Sequence, residues 1–118
     1  MNINDYASVM VINTSQEAPE SRPGRRWYNW SIHIETNPEN VIEGIKKVIY
    51  HLHPSFRDKE VPIDNSASGF KLDGKGWGEF TITLDLLSNT GKTVTLAHDL
   101  TLRGRGESIH KVPIDLLI

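Results

Sequence analysis

The sequence predicts an all-β antiparallel sandwich, and three observations carry that expectation. Apolar residues recur with period two in several short stretches. Clusters of Gly, Pro, Asn and Ser separate those stretches at turn-like spacing. Little of the chain carries convincing helical periodicity.

Residues 7–14 (ASVMVINT) are rich in β-branched side chains, which suit a pleated, half-buried surface, and form a first strand. Residues 15–26 contain Glu17, Pro19, Glu20, Pro23 and Gly24 and read as a polar loop. In residues 27–36, Tyr28, Trp30, Ile32 and Ile34 share one face, and Asn29, Ser31, His33 and Glu35 share the other. That pattern is a half-buried strand.

Residues 41–53 satisfy two periods. Val41, Ile45, Val48 and Leu52 have helical spacing, while Val48, Tyr50 and Leu52 have strand spacing. Asn37-Pro38-Glu39 suits the opening of one helical turn, so the expectation is a short turn followed by a strand over 46–53. Residues 54–75 form a long connection with a short strand near 69–72.

Phe80, Ile82, Leu84 and Leu86 alternate with polar residues, Ser88-Asn89-Thr90-Gly91 turns the chain, and Val94, Leu96, His98, Leu100 and Leu102 alternate on the return. This is a long hairpin. Arg103-Gly104-Arg105-Gly106 breaks it, and residues 109–118 add a final strand with Pro113 on an edge.

The chain has 118 residues, the size of one domain that can bury its own core. It is read as one unit over 1–118. It has no cysteine, so it has neither a disulfide framework nor a thiolate zinc site. A net charge of −2 gives no bulk attraction for nucleic acid. No apolar run is long enough to cross a bilayer, and Met1-Asn2-Ile3-Asn4-Asp5 lacks the basic and apolar regions of a signal peptide. The expected compartment is therefore cytoplasmic in a prokaryotic host and nuclear in a eukaryotic one.

Two motifs place aromatic residues at strand–loop junctions. His51-Leu52-His53-Pro54-Ser55-Phe56 closes one strand, and Gly76-Trp77-Gly78-Glu79-Phe80 opens another. Glycines on both sides of Trp77 allow close approach of a ligand or unusual dihedrals. Ser55 offers a donor and an acceptor beside Phe56.

Over residues 27–102 the chain resembles the YEATS domain family. The resemblance rests on Trp30, on the run from Val48 to Phe56, on Gly76-Trp77-Gly78-Glu79-Phe80 and on Leu96-Ala97-His98-Asp99-Leu100-Thr101-Leu102, in that order. It implies an immunoglobulin-like sandwich whose loops grip an acylated lysine, of acetyl or crotonyl type, and which carries out no catalysis and needs no cofactor. By the resemblance, Phe56 and Trp77 sandwich the planar acyl amide. Ser55 and the N–H groups of Trp77 and Gly78 bind it, His53 lines the pocket, and Tyr28 adds a further aromatic.

Acylation removes the lysine charge, so the side chain can enter an apolar slot without burying an ammonium. Arg57-Asp58 stands where the family often has an Asn-Pro-like turn, and Gly69-Phe70 replaces a proline–aromatic step. These departures lean toward the prokaryotic branch, whose partner need not be a histone. The alternative is a protein–protein adaptor or sensor module of a prokaryotic system, attached to an effector or a larger complex. Its motivation is the glycine-rich segment 66–76.

Blander roles compete for the same residues. Phe56 and Trp77 read as core aromatics on composition alone. Ser55 reads as a turn cap. His51 and His53 read as half a metal site with no third ligand selected by spacing. Arg25-Arg26 reads as solvated charge, and the glycine–arginine alternation at 103–106 is too short for an RNA-binding segment.

Overall fold

The computed structural model describes residues 5–117. Its strands are β1 (Tyr6–Glu17), β2 (Tyr28–Asn37), β3 (Ile45–His51), β4 (Glu60–Ile63), β5 (Leu72–Gly76), β6 (Thr81–Ser88), β7 (Thr93–Asp99) and β8 (Arg105–Pro113). They form two four-stranded sheets, ordered β5-β2-β1-β8 and β4-β3-β6-β7. Every pairing is antiparallel. The alternating rows meet between the sheets: Ile32 and Ile34 of β2, Val48 and Tyr50 of β3, and Ile82, Leu84 and Leu86 of β6 are fully buried. A short 3-10 turn, Glu39–Gly44, precedes β3. The stretch thus forms the expected short turn followed by a strand, which ends at His51, two residues before His53.

Several boundaries differ from expectation. The hairpin's return strand ends at Asp99, short of Leu100 and Leu102. The strand expected near 69–72 lies at Leu72–Gly76, because Gly69 and Phe70 have positive φ. β1 runs on to Glu17 because Ser15, Gln16 and Glu17 pair with Trp30, Asn29 and Tyr28. The connection 54–75 contains β4 and most of β5. β4 carries Pro62, tolerated because β4 is an edge strand that needs one row of donors only. β5 reads LDGKG and has no alternation of β-branched residues to reveal it. It exists because it pairs with β2, where Trp30 lies opposite Gly74. A Cβ on Gly74 would lie 2.1 Å from Trp30 Cζ2, so the indole covers the bare glycine.

The Arg103–Gly106 break also begins a strand. Gly106 pairs with Asn13, and a Cβ there would lie 2.5 Å from Asn13 Oδ1. This glycine admits a close approach inside a strand. β8 then ends at Pro113, on an edge, and a 3-10 turn Ile114–Leu116 follows in place of further strand. Ile118 and the Met1–Asn4 part of the signal-peptide argument lie outside the described residues. No helix among the described residues is long and apolar enough to cross a membrane.

Two polar devices tie the core together. The Tyr50 hydroxyl donates to the Phe70 carbonyl at 2.6 Å, and burial raises its pKa. Phe70 is itself fully buried, with a φ of 55°. Between the sheets, His98 of β7 reaches Asn13 of β1 through Nε2 at 2.8 Å and Ser108 of β8 through Nδ1 at 2.7 Å.

Candidate functional site

Three connections meet in one groove. The β3–β4 loop is closed at its base by the Leu52 N–H donating to the Lys59 carbonyl at 2.7 Å, and it turns tightly where the Phe56 N–H donates to the His53 carbonyl at 2.9 Å. The β5–β6 connection is fastened to the end of the hairpin. There the Leu102 N–H donates to Glu79 Oε2 and the Leu100 N–H to the Phe80 carbonyl. The β1–β2 loop is tied at its end by the Ala18 N–H donating to the Trp27 carbonyl at 2.7 Å.

The groove so formed has a volume of about 380 Å³, within the range of small-ligand sites. His53, Ser55, Phe56, Trp77 and Gly78 all line it. Tyr28 does not. It is half-buried on β2 and lines an adjoining depression with Arg25, Arg26, Trp77, Glu79 and Arg103. Trp27, just ahead of β2, lines the groove instead. Sequence reasoning misses Trp27, Arg57, Lys75 and Phe80 of the lining. Only the aromatic character of Trp27 and Phe80 offered a signal.

The two aromatics of the motifs have different settings. Phe56 is half-buried, with its ring centroid 5.4 Å from that of Phe80 and 6.3 Å from that of Trp30. Trp77 is 67% exposed and makes no ring contact among the described residues. Phe56 is thus part packing residue and part groove wall, whereas Trp77 is groove wall only.

The polar groups are wired in one direction. The Ser55 backbone N–H donates to His53 Nδ1 at 3.1 Å, so in the neutral ring the proton sits on Nε2. The Ser55 hydroxyl, 2.8 Å from the same Nδ1, donates there too, which leaves the lone pairs of Oγ as acceptors. On the β5–β6 connection, the backbone N–H groups of Trp77 and Gly78 have no hydrogen-bond partner among the described residues. The flanking glycines keep an ordinary negative φ, so close approach, and no unusual dihedral, is what they supply.

Other chemistries fit less well. His51 turns away to Asp85, with Nε2 2.6 Å from Oδ2, so it forms no pair with His53. Among the described residues no group of three or more potential ligands could hold a metal ion. His53 beside Ser55 has the look of a base beside a nucleophile, but no carboxylate orients His53 among the described residues. Segment 66–76, which motivates the adaptor alternative, contributes only Lys75 and Gly76 to the groove. Its Ser66–Ser68 turn lines a separate depression with His33 and Ile42.

Comparison with known proteins gives a consistent outcome. The sequence pattern of the prokaryotic YEATS domain matches residues 28–101. Something about silencing protein 5 of Saccharomyces cerevisiae is 33% identical over 82 residues, covering 67% of this chain and 32% of that protein. Transcription initiation factor TFIID subunit 14b of Arabidopsis thaliana is 31% identical over 86 residues, covering 69% of this chain and 31% of that protein. The chain therefore spans about a third of the length of these curated relatives.

Among solved structures, the Yaf9 YEATS domain recognizing an H3K122suc peptide superposes with a TM-score of 0.71 at 20% identity, over 95% of this chain and 88% of that one. The yeast AF-9 homolog protein Yaf9 superposes with a TM-score of 0.73 at 21% identity, over 91% and 81%. The shared fold is the immunoglobulin-like sandwich.

Proposed function

We propose that the groove takes an acylated lysine, from the premise that this chain belongs to the YEATS domain family in its prokaryotic form. One observation carries the proposal. A single groove, lined also by the rings of Phe56 and Trp77, offers one oriented acceptor, Ser55 Oγ, and two unpartnered donors, the N–H groups of Trp77 and Gly78.

That set matches a secondary amide. The amide N–H donates to Ser55 Oγ, and the acyl oxygen accepts from the backbone donors. The flat acyl group lies against the rings, which supply stacking surface on its faces. An amide buried without those partners would cost about 1–3 kcal/mol per unmet group. A charged lysine fits poorly, because an ammonium has no acceptor to offer the open N–H groups of Trp77 and Gly78. The same argument disfavours a trimethylated lysine, which remains a cation.

The wider family supports the reading. A Yaf9 YEATS domain is described bound to H3K27ac, and its fold is shared by this chain. The domain acts here as a binding module, and the prokaryotic family pattern favours the cytoplasm as its compartment.

The test is an NMR titration of the isotope-labelled domain with peptides carrying lysine, acetyl-lysine, crotonyl-lysine or trimethyl-lysine. Shifts at Ser55, Phe56 and Trp77 are expected with the acylated peptides only. Silence at all three at millimolar acyl peptide overturns the proposal.

A further inference from the structure

The groove and the depression beside it form one surface, since Trp77 and Glu79 line both. Its charges are one-sided. Arg57 and Lys75 line the first part, and Arg25, Arg26 and Arg103 line the second, against the single carboxylate of Glu79. Two of these cations already have partners: Arg26 pairs with Glu17 at 2.5 Å, and Lys75 pairs with Glu20. Arg25, Arg57 and Arg103 are exposed and have no carboxylate partner among the described residues. The whole chain carries −2, so this concentration is local and does not reflect a basic protein.

Chain flanking a lysine seated in the groove must run over this rim. A basic flank would meet three unpaired guanidinium groups of like charge, whereas an acidic flank would meet their complement. Arginine also matches carboxylate geometry with paired N–H donors. We infer that the site takes its acyl-lysine from an acidic stretch of protein, with carboxylates beside the lysine seating on Arg25, Arg57 and Arg103. The inference rests on the acyl-lysine reading and adds the sequence context of the partner. Nucleic acid is the weaker candidate for the same cations, because it brings no acylated lysine to the groove beside them.

The experiment measures the affinity of the domain for three acetyl-lysine peptides, whose two residues on each side are Glu, Gln or Lys, at 50 mM and 500 mM salt. An exposed ion pair is worth about a two- to fivefold change in affinity, so two or three together should favour the Glu peptide over the Gln peptide by about tenfold. The Lys peptide should bind most weakly. High salt should compress the differences, and Arg25→Gln/Arg103→Gln should reduce the Glu-to-Gln ratio severalfold.

Equal affinity for the three acylated peptides overturns the inference and leaves the acyl-lysine reading intact. Equal affinity for acylated and unacylated Glu peptides overturns the acyl-lysine reading, and with it this inference. A single-stranded oligonucleotide that displaces the Glu peptide at lower concentration, and loses that ability in the double variant, overturns it in favour of nucleic acid.

Discussion

Ser55 holds the His53 ring through two contacts, its backbone N–H at 3.1 Å and its hydroxyl at 2.8 Å from the same Nδ1. The backbone contact alone is enough to fix the ring's tautomer, so the hydroxyl is free to serve a ligand. Ser55→Ala should therefore leave the loop in place and remove only the acceptor for the ligand's amide. The expected loss is about 1–3 kcal/mol of binding, or roughly five- to 150-fold in Kd for the acylated peptide. Because Ser55 is exposed, the unfolding free energy should change by no more than about 0.5 kcal/mol. Calorimetric titration and urea unfolding of the same variant check both halves. An unchanged Kd would remove Ser55 from the site.

Trp77 and Trp30 should behave oppositely. Trp77 is 67% exposed, whereas Trp30 is 2% exposed and packs edge-on against Phe56 and Phe80. Trp77→Ala should cost about 1–3 kcal/mol of binding, by analogy with base–aromatic stacking, and almost nothing in stability. Trp30→Ala should cost about 3–5 kcal/mol of stability. Melting curves of the two variants, alongside peptide titrations of the first, separate the roles. A large drop in melting temperature for Trp77→Ala would mean that Trp77 is a packing residue.

A pH effect should come from the polar network between the sheets. Asn13 donates through Nδ2 to the Thr101 carbonyl, so its Oδ1 accepts from His98 Nε2–H. His98 Nδ1 then accepts from the Ser108 hydroxyl, which in turn accepts from His110 Nε2–H. That pattern needs a neutral His98, whose Nδ1 accepts, whereas His110 donates through Nε2 in either state. Burial lowers the pKa of both histidines; for His98, Asp99 opposes the shift and His110 adds to it.

A folded pKa below the unfolded value of 6.5 means that the unfolded chain binds more protons in between. Stability should therefore be complete above about pH 6.5 and fall as pH drops toward the folded values. Urea unfolding from pH 8 to pH 5 should show that fall, in a window above most carboxylate titration. His98→Leu with His110→Gln should flatten it. An equal slope in the variant would assign the effect to other groups.

How much of this was legible in the sequence depended on what each residue's neighbours share. The rows Tyr28–Ile34 and Phe80–Leu86 alternate because one face of each strand is buried and the other is not, so period two marks them. β5 is invisible to that logic because Gly74 contributes no side chain, and its partner Trp30 is 44 positions away in sequence. The groove was half legible. His53, Ser55, Phe56, Trp77 and Gly78 lie in two compact motifs that carry a family resemblance. Arg57 and Lys75 are the immediate sequence neighbours of Phe56 and Gly76, whereas Trp27 joins them only because the β1–β2 loop converges on the groove, which no local spacing encodes. Counting back from Trp30 reaches Tyr28, but the sandwich directs that side chain to the neighbouring depression.

The contrast between Gly74 and Gly78 gives the last prediction. Both are glycines of the same stretch, but their surroundings differ. A Cβ at Gly74 would lie 2.1 Å from Trp30 Cζ2 and 2.4 Å from Cη2, inside the van der Waals surface of a buried ring that cannot swing away. A Cβ at Gly78 would meet nothing within 4 Å. Gly74→Ala should therefore push the indole or β5 aside and cost about 1–3 kcal/mol, the usual range for overpacking. Because Trp30 also backs Phe56, the displacement should reach the groove and weaken peptide binding as well. Gly78→Ala should leave stability within about 0.5 kcal/mol and act on binding alone, since its methyl group would stand in the groove beside the open N–H. Urea unfolding of the two variants side by side, followed by acetyl-lysine peptide titration of each, distinguishes the effects. Equal stability of Gly74→Ala and the unmodified protein would show that Trp30 does not lie over Gly74, and the account of why β5 forms would fail with it.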